Sequence, residues 1–214
     1  MRLYTYFHSS AAYRVRIALN LKGLQYHAVP VHLLRKGGEQ LSAEFALLNP
    51  ARLVPVLEDG GATITQSIAI IEYLEETHPQ PPLLPAAAAA RARVRSLALD
   101  IACDIHPLNN LRVRRYLSSV LGLGESPREE WIRHWIAVGF EAIERKLAAD
   151  VQTGSFCHGE SPTLADCCLV PQVANAQRAK LPLDPYPTVR RINENCLRLR
   201  AFSDAAPEAQ PDAE

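Results

Sequence analysis

A small mixed sheet with helices on its faces, followed by an all-helical second domain, is the fold class the sequence predicts. Three observations carry that expectation. The first 80 residues read strand–helix–strand–helix–strand–strand–helix, the order of a layered α/β unit. Residues 78–85, HPQPPLLP, hold four prolines in eight positions, which marks a linker. Beyond them AAAAARARVRSLALDIACDI contains neither Gly nor Pro and is rich in strong helix formers. The expected boundaries are 1–80 for the α/β domain and 86–203 for the helical domain, with 204–214 as a loose, polar, Pro/Ala-rich tail.

LYTYF (3–7) is short, aromatic and β-prone, and reads as a strand. From Ser10, the apolar Ala11, Val15, Ala18 and Leu19 recur at helical spacing, with Arg14, Arg16 and Lys22 expected off that face and Gly23 ending the helix. YHAVPVHL (26–33) is a second strand, and Pro30 within it requires an edge position. SAEFALL (42–48) is a short helix stopped by Asn49-Pro50. VPVLED, GG and ATITQ form a hairpin, and SIAIIEYLEE (67–76) is a helix with Ser67 as the candidate N-cap. In the second domain a helix is expected near 86–120 with a kink at Pro107. Ser126, Pro127 and Glu129 have the spacing of a capping box for a helix to about 149. Thr163 and Asp166 repeat the device for a helix to about 178, and 187–199 is the last helix.

The chain has 23 basic and 23 acidic residues, so its balance offers no electrostatic footprint for nucleic acid. Residues 1–80 hold seven of each, so neither part is biased. The arginines at 91, 93, 95, 112, 114 and 115 are expected on solvated helix faces. Cysteines 103, 157, 167, 168 and 196 are odd in number and lack CxxC spacing, as expected of reduced thiols in a cytoplasmic protein. MRLYTYFHSS has no apolar signal-peptide core, and no run approaches the 18 or so apolar residues of a membrane span. No histidine has metal-ligand spacing with a Cys or Asp, so no metal is expected.

YFHSSAAYRVRIAL (6–19) raises a question: two hydroxyls stand at the mouth of a helix with no cysteine beside them. A helix start carries unpaired N–H groups and about half a positive charge. Ser9 or Ser10 there is either a plain N-cap or a donor to a bound anion.

The segments SSAAYRVRIALNLKG, LVP, QSIAIIEYLEE, SPTLADCCLVPQVANAQR and PYPTV, in order across residues 3–203, resemble the zeta-class glutathione transferases. That family comprises glutathione-dependent maleylacetoacetate isomerases and the related maleylpyruvate isomerases. The resemblance implies a thioredoxin-like first domain, an all-α second domain, glutathione as cofactor and a homodimer. It implies no membrane or nucleic-acid partner.

Site residues carry over by position. The family's Ser-Ser-Cys is here Ser9-Ser10-Ala11, so the third member has lost its sulfur. Ser9 is then the residue that stabilises the glutathione thiolate, and Ser10 and the N–H groups near Ala11 face developing charge on the substrate. Val54-Pro55 matches a cis-proline loop whose Val54 backbone pairs with the cysteinyl unit; read alone, Pro55 merely opens a strand. Gln66-Ser67 matches the residues that hold the γ-glutamyl carboxylate, at a helix start suited to an anion. Gln40 matches a family glutamine near the glycyl end, and His106 stands at a position for a family Gln near that same end, although a lone His is as readily structural. Arg178 matches the substrate-carboxylate arginine, with the bidentate geometry a carboxylate wants. His8 stands where relatives carry arginine and is a second carboxylate contact; Asn109 is a candidate to line the cleft. His8 and Leu111 replace arginines of the maleylpyruvate enzymes, which favours maleylacetoacetate.

The implied reaction is cis–trans isomerisation of a diketo diacid: thiolate adds to the cis double bond, the bond rotates, and thiolate leaves. Two alternatives share the fold. One is a general transferase conjugating small electrophiles such as haloacids; the other is a non-catalytic glutathione-binding module.

Overall fold

A computed structural model describes residues 1–214 and divides the chain into two units, Met1–Leu83 with Arg198–Glu214 and Leu84–Leu197. The first unit runs β1 (Arg2–Thr5), α1 (Ser10–Leu21), β2 (His27–Pro30), α2 (Ala43–Leu48), β3 (Val56–Asp59), β4 (Ala62–Thr65) and α3 (Ser67–Thr77). The sheet order is β2-β1-β3-β4. β1 pairs parallel with β2, placing Leu3 opposite Ala28, and antiparallel with β3, placing Leu3 opposite Leu57. β3 and β4 form the expected hairpin, and β2 is an edge strand, where Pro30 needs no ladder partner.

Helix α1 departs from the expected two-faced pattern. Residues 12–19 are all buried, Arg14 and Arg16 included, and so is Lys22. Buried cations persist only when their N–H groups are satisfied. Lys22 Nζ reaches Glu75 Oε2 at 2.8 Å, His78 O at 2.7 Å and Pro81 O at 3.0 Å. Arg16 Nε donates to Ala205 O at 2.9 Å, and its Nη atoms reach Thr5 Oγ1, Tyr6 O and Phe7 O at 3.0, 3.3 and 3.1 Å. Burial lowers the Arg16 pKa to about 10, which still leaves it cationic at neutral pH.

The second unit contains α4 (Ala88–Leu99), a π-helical segment (Asp100–Ile105), α5 (His106–Asn109), α6 (Leu111–Ser119), α7 (Glu125–Ala149), α8 (Leu164–Arg178) and α9 (Pro187–Leu197). The single helix expected over 86–120 is therefore broken. Pro107 has no N–H to offer the carbonyl four residues back, and the His106 N–H bonds instead to Ile101 O, the wider π spacing. Asn110 is extended and caps α6, its side chain accepting from Val113 N at 3.2 Å. Ser126 is not the N-cap of α7: extended Gly124 is, with Ser126 and Pro127 inside the first turn, where a missing N–H costs little. Arg93 is not on a solvated face. It bonds Asp150 Oδ2 at 2.6 Å, Cys157 O at 2.8 Å and Thr153 Oγ1 at 2.8 Å. At α8 the expected capping box is present, and Cys167 and Cys168 are fully buried core residues. No helix is long and apolar enough to cross a membrane.

The tail also differs from expectation. Beyond α10 (Arg200–Ser203) it turns through Pro207–Ala209 and lies against the first unit. Phe7 N donates to Asp212 Oδ2 at 3.1 Å, and the Glu214 carboxylate pairs with Arg35 and lies 3.5 Å from His32 Nε2. Composition alone reads the tail as loose and polar, but folding brings partners to Asp212 and Glu214.

Candidate active site

Ser9 caps α1. Its backbone is extended (φ −72°, ψ 113°) and its Oγ accepts from Ala12 N at 3.2 Å, while Ser9 O accepts from Tyr13 N at 2.9 Å. The first N–H groups of the helix, on Ser10 and Ala11, have no intrahelical acceptor. A serine hydroxyl has one donor and two lone pairs, and capping uses one lone pair. The Ser9 O–H, half-exposed, makes no hydrogen bond within the chain. No acidic residue stands in the first turn of α1; the carboxylate that meets the preceding turn is that of Asp212, which accepts from Phe7 N. The N-cap reading of the serine pair holds for Ser9, and capping with the oxygen leaves its proton uncommitted. Tyr13 is no rival donor, because its buried hydroxyl bonds Phe202 O at 3.1 Å.

Gln66 and Ser67 open α3. The boundary lies one residue earlier than expected: Gln66 is the N-cap, with φ 71°, and Ser67 is the first helical residue. The buried Ser67 Oγ accepts from Arg14 Nη1 at 3.2 Å, which links the starts of α1 and α3 through one guanidinium. α3 too has no acid in its first turn. Val54-Pro55 is cis, and the Val54 backbone has no partner among the loop and turn hydrogen bonds. Gln40 is buried; its Nε2 approaches Leu33 O at 3.5 Å and its Oε1 has no partner. Gly38 makes room for it. A Cβ there would meet the Gln40 amide atoms at 2.8 Å, and φ +118° disfavours any other residue.

These groups fit glutathione. An O–H donor and open helix N–H groups suit a thiolate, a second helix start suits the γ-glutamyl carboxylate, and an unpaired buried amide and free backbone suit the peptide units. His8 is exposed, directly before Ser9.

In the second unit, Arg178 ends α8 and Nη2 donates to Asn175 Oδ1 at 3.4 Å. Asn175 Nδ2 donates to Asn109 Oδ1 at 2.8 Å, and Asn109 Nδ2 to Ile105 O at 3.1 Å. Asn109 is buried, so it does not stand open as expected; it reaches Arg178 through Asn175. Sequence reading missed Asn175, whose signal was a polar residue three positions before Arg178. His106 is half-buried at the start of α5, directly after the π segment. Burial and the neighbouring Asp166 push the Cys157 and Cys196 thiols up, which makes them poor nucleophiles.

Residues 3–82 match the glutathione S-transferase N-terminal domain. Among similar proteins, a probable maleylacetoacetate isomerase of Vibrio cholerae is 54% identical over 99% of this chain and 97% of its own. A holo structure of maleylpyruvate isomerase, described as a bacterial zeta-class glutathione S-transferase, superposes with a TM-score of 0.97. It is 48% identical and covers 100% of both chains. A Methylobacterium extorquens maleylacetoacetate isomerase with bound malonate and glutathione gives a TM-score of 0.96 at 42% identity, again over 100% of both chains. The fold and site define a glutathione transferase, and the chain belongs to the zeta-class family of maleylacetoacetate and maleylpyruvate isomerases.

Proposed function

We propose that this protein is a glutathione-dependent cis–trans isomerase of maleylacetoacetate, with the shorter maleylpyruvate as the close alternative substrate. The observation that carries the reading is Ser9: a capping serine whose O–H remains free at an acid-free helix start. Glutathione, when bound, supplies the nucleophilic sulfur that the chain itself lacks at Ala11. Ser9 donates to that sulfur and holds it ionised. Ser10 and the N–H groups of Ser10 and Ala11 meet negative charge developing on a substrate oxygen. Ser67, Gln66, the Val54 backbone, Gln40 and His106 bind the tripeptide. Arg178 and His8 take the substrate carboxylates, and Asn109 acts through Asn175 to orient the guanidinium. His8 and Leu111, where the shorter substrate calls for arginines, favour maleylacetoacetate.

The protein acts as a homodimer in the cytoplasm. Leu34, Leu41 and Leu47, 55%, 46% and 89% exposed, put apolar surface on one stretch of the first unit that suits a second copy. No disulfide joins its five cysteines, which suits a reducing compartment.

Both maleyl compounds, assayed with and without glutathione, test the activity. The expected result is isomerisation only with glutathione, which is not consumed. Accumulation of a glutathione conjugate in place of trans product supports a general transferase; no turnover of either compound refutes an enzyme of this kind.

A further inference from the structure

The peptide that leads into Ser9 is held from outside by the C-terminal segment. Phe7 is buried, and both polar groups of its backbone are engaged: its N–H donates to Asp212 Oδ2 at 3.1 Å, and its C=O accepts from Arg16 Nη2 at 3.1 Å. The same guanidinium takes Tyr6 O, and Tyr6 O accepts from Ser9 N at 2.9 Å. Arg16 in turn bonds Ala205 O. Two more side chains of α1 reach the same stretch, Tyr13 to Phe202 O at 3.1 Å and Asn20 to Ala201 O at 3.1 Å. These carbonyls belong to the short helix α10 and the residues just past it, where backbone acceptors lack intrahelical donors. The Asp212 and Arg16 contacts converge on the turn Tyr6–Ser9, and neither side chain bonds the Ser9 hydroxyl.

Resting on the reading of Ser9 given above, we propose that Asp212 is a positioning residue for sulfur activation. By gripping the Phe7 N–H while Arg16 grips its C=O, the C-terminal segment fixes the turn from which Ser9 presents its hydroxyl. Asp212 is itself an anion, so charge and position pull in opposite directions. By charge alone, its loss eases ionisation of a nearby thiol. By position, its loss lets the Ser9 turn shift and makes ionisation harder, since small displacements of a preorganised donor are costly.

The test is the titration of the glutathione thiol bound to the full-length protein, followed by ultraviolet absorbance of the thiolate, with glutathione affinity and turnover alongside. Asp212→Ala is expected to move the titration about half a pH unit upward and to cut turnover about threefold to tenfold, the worth of one hydrogen bond. Affinity for the tripeptide should stay within about twofold, because Gln40 and Ser67 are untouched. Asp212→Asn keeps an oxygen for the Phe7 N–H but removes the charge, so the titration is expected at or slightly below the wild-type value, with turnover within about twofold of wild type. The proposal is overturned if Asp212→Ala leaves the titration unchanged or moves it downward, or if Asp212→Asn behaves as Asp212→Ala. Ser9→Ala separates the two layers. If it raises the titration while Asp212→Ala does not, the Ser9 assignment stands and the strap falls. If Ser9→Ala changes nothing, both fall.

Discussion

Two helix starts in this molecule use the same physics to opposite ends. At α8 the Thr163 N–H and hydroxyl both donate to Asp166 Oδ2 at 2.8 Å, and Asp166 Oδ1 accepts from Cys157 N at 2.8 Å. The carboxyl is fully buried, and burial raises its pKa although the N–H bonds oppose that rise. The local donors are consumed, and a negative group already occupies the positive end of the helix. At α1 a single serine oxygen caps, the first turn holds no acid, the nearby Asp212 carboxylate is spent on Phe7 N, and one O–H and two N–H groups are left over. A saturated helix start holds a fold; an unsaturated one keeps donors free for a ligand.

The largest effect that would sharpen this contrast is on stability. Asp166→Ala strands the Thr163 and Cys157 N–H groups in the core and should cost about 3 kcal/mol or more in denaturant unfolding. Turnover per folded molecule should stay the same. Next comes Ser9→Ala, expected to lower turnover about a hundredfold, as removal of a preorganised donor does. Its cost in stability should be only about 1 kcal/mol, the usual worth of an N-cap. A loss of stability comparable to that of Asp166→Ala, with turnover intact, would erase the distinction between the two helix starts. Ser67→Ala removes a group from the other open start and should raise KM for glutathione about tenfold with kcat nearly unchanged. The smallest effect is expected from Ala11→Cys, which restores the family's thiol. If the working sulfur is glutathione's, turnover should change by less than about threefold. A large gain would move the chemistry onto the protein.

Local features of the fold are legible in the sequence. The Ser9 cap, Pro30 at an edge, the hairpin around Gly60-Gly61 and the Thr163/Asp166 box all depend on residues a few positions apart. Ser126 shows the weakness of such signals: its spacing to Glu129 fits a capping box, yet an extended Gly124 starts the helix first. Long-range pairings were not legible. Arg14, Arg16 and Lys22 look like surface residues because isolated cations avoid the interior, and only the fold brings Ser67, Ala205 and Glu75 to them. The same holds for Asp212 and Phe7, 205 positions apart. In the candidate site, the Ser9 cap was legible from helix-terminus physics and its proposed role only from the family resemblance, whereas Asn175 was hidden because its partner Asn109 lies on another helix.

Ala11 has a last consequence. Four of the five cysteines are buried, and the exposed Cys103 sits in the π segment of the other unit. An oxidant or alkylating agent therefore finds no thiol to poison at the mouth of α1. With glutathione as the cofactor, the sulfur open to such an agent belongs to a small exchangeable molecule and not to that stretch of the protein.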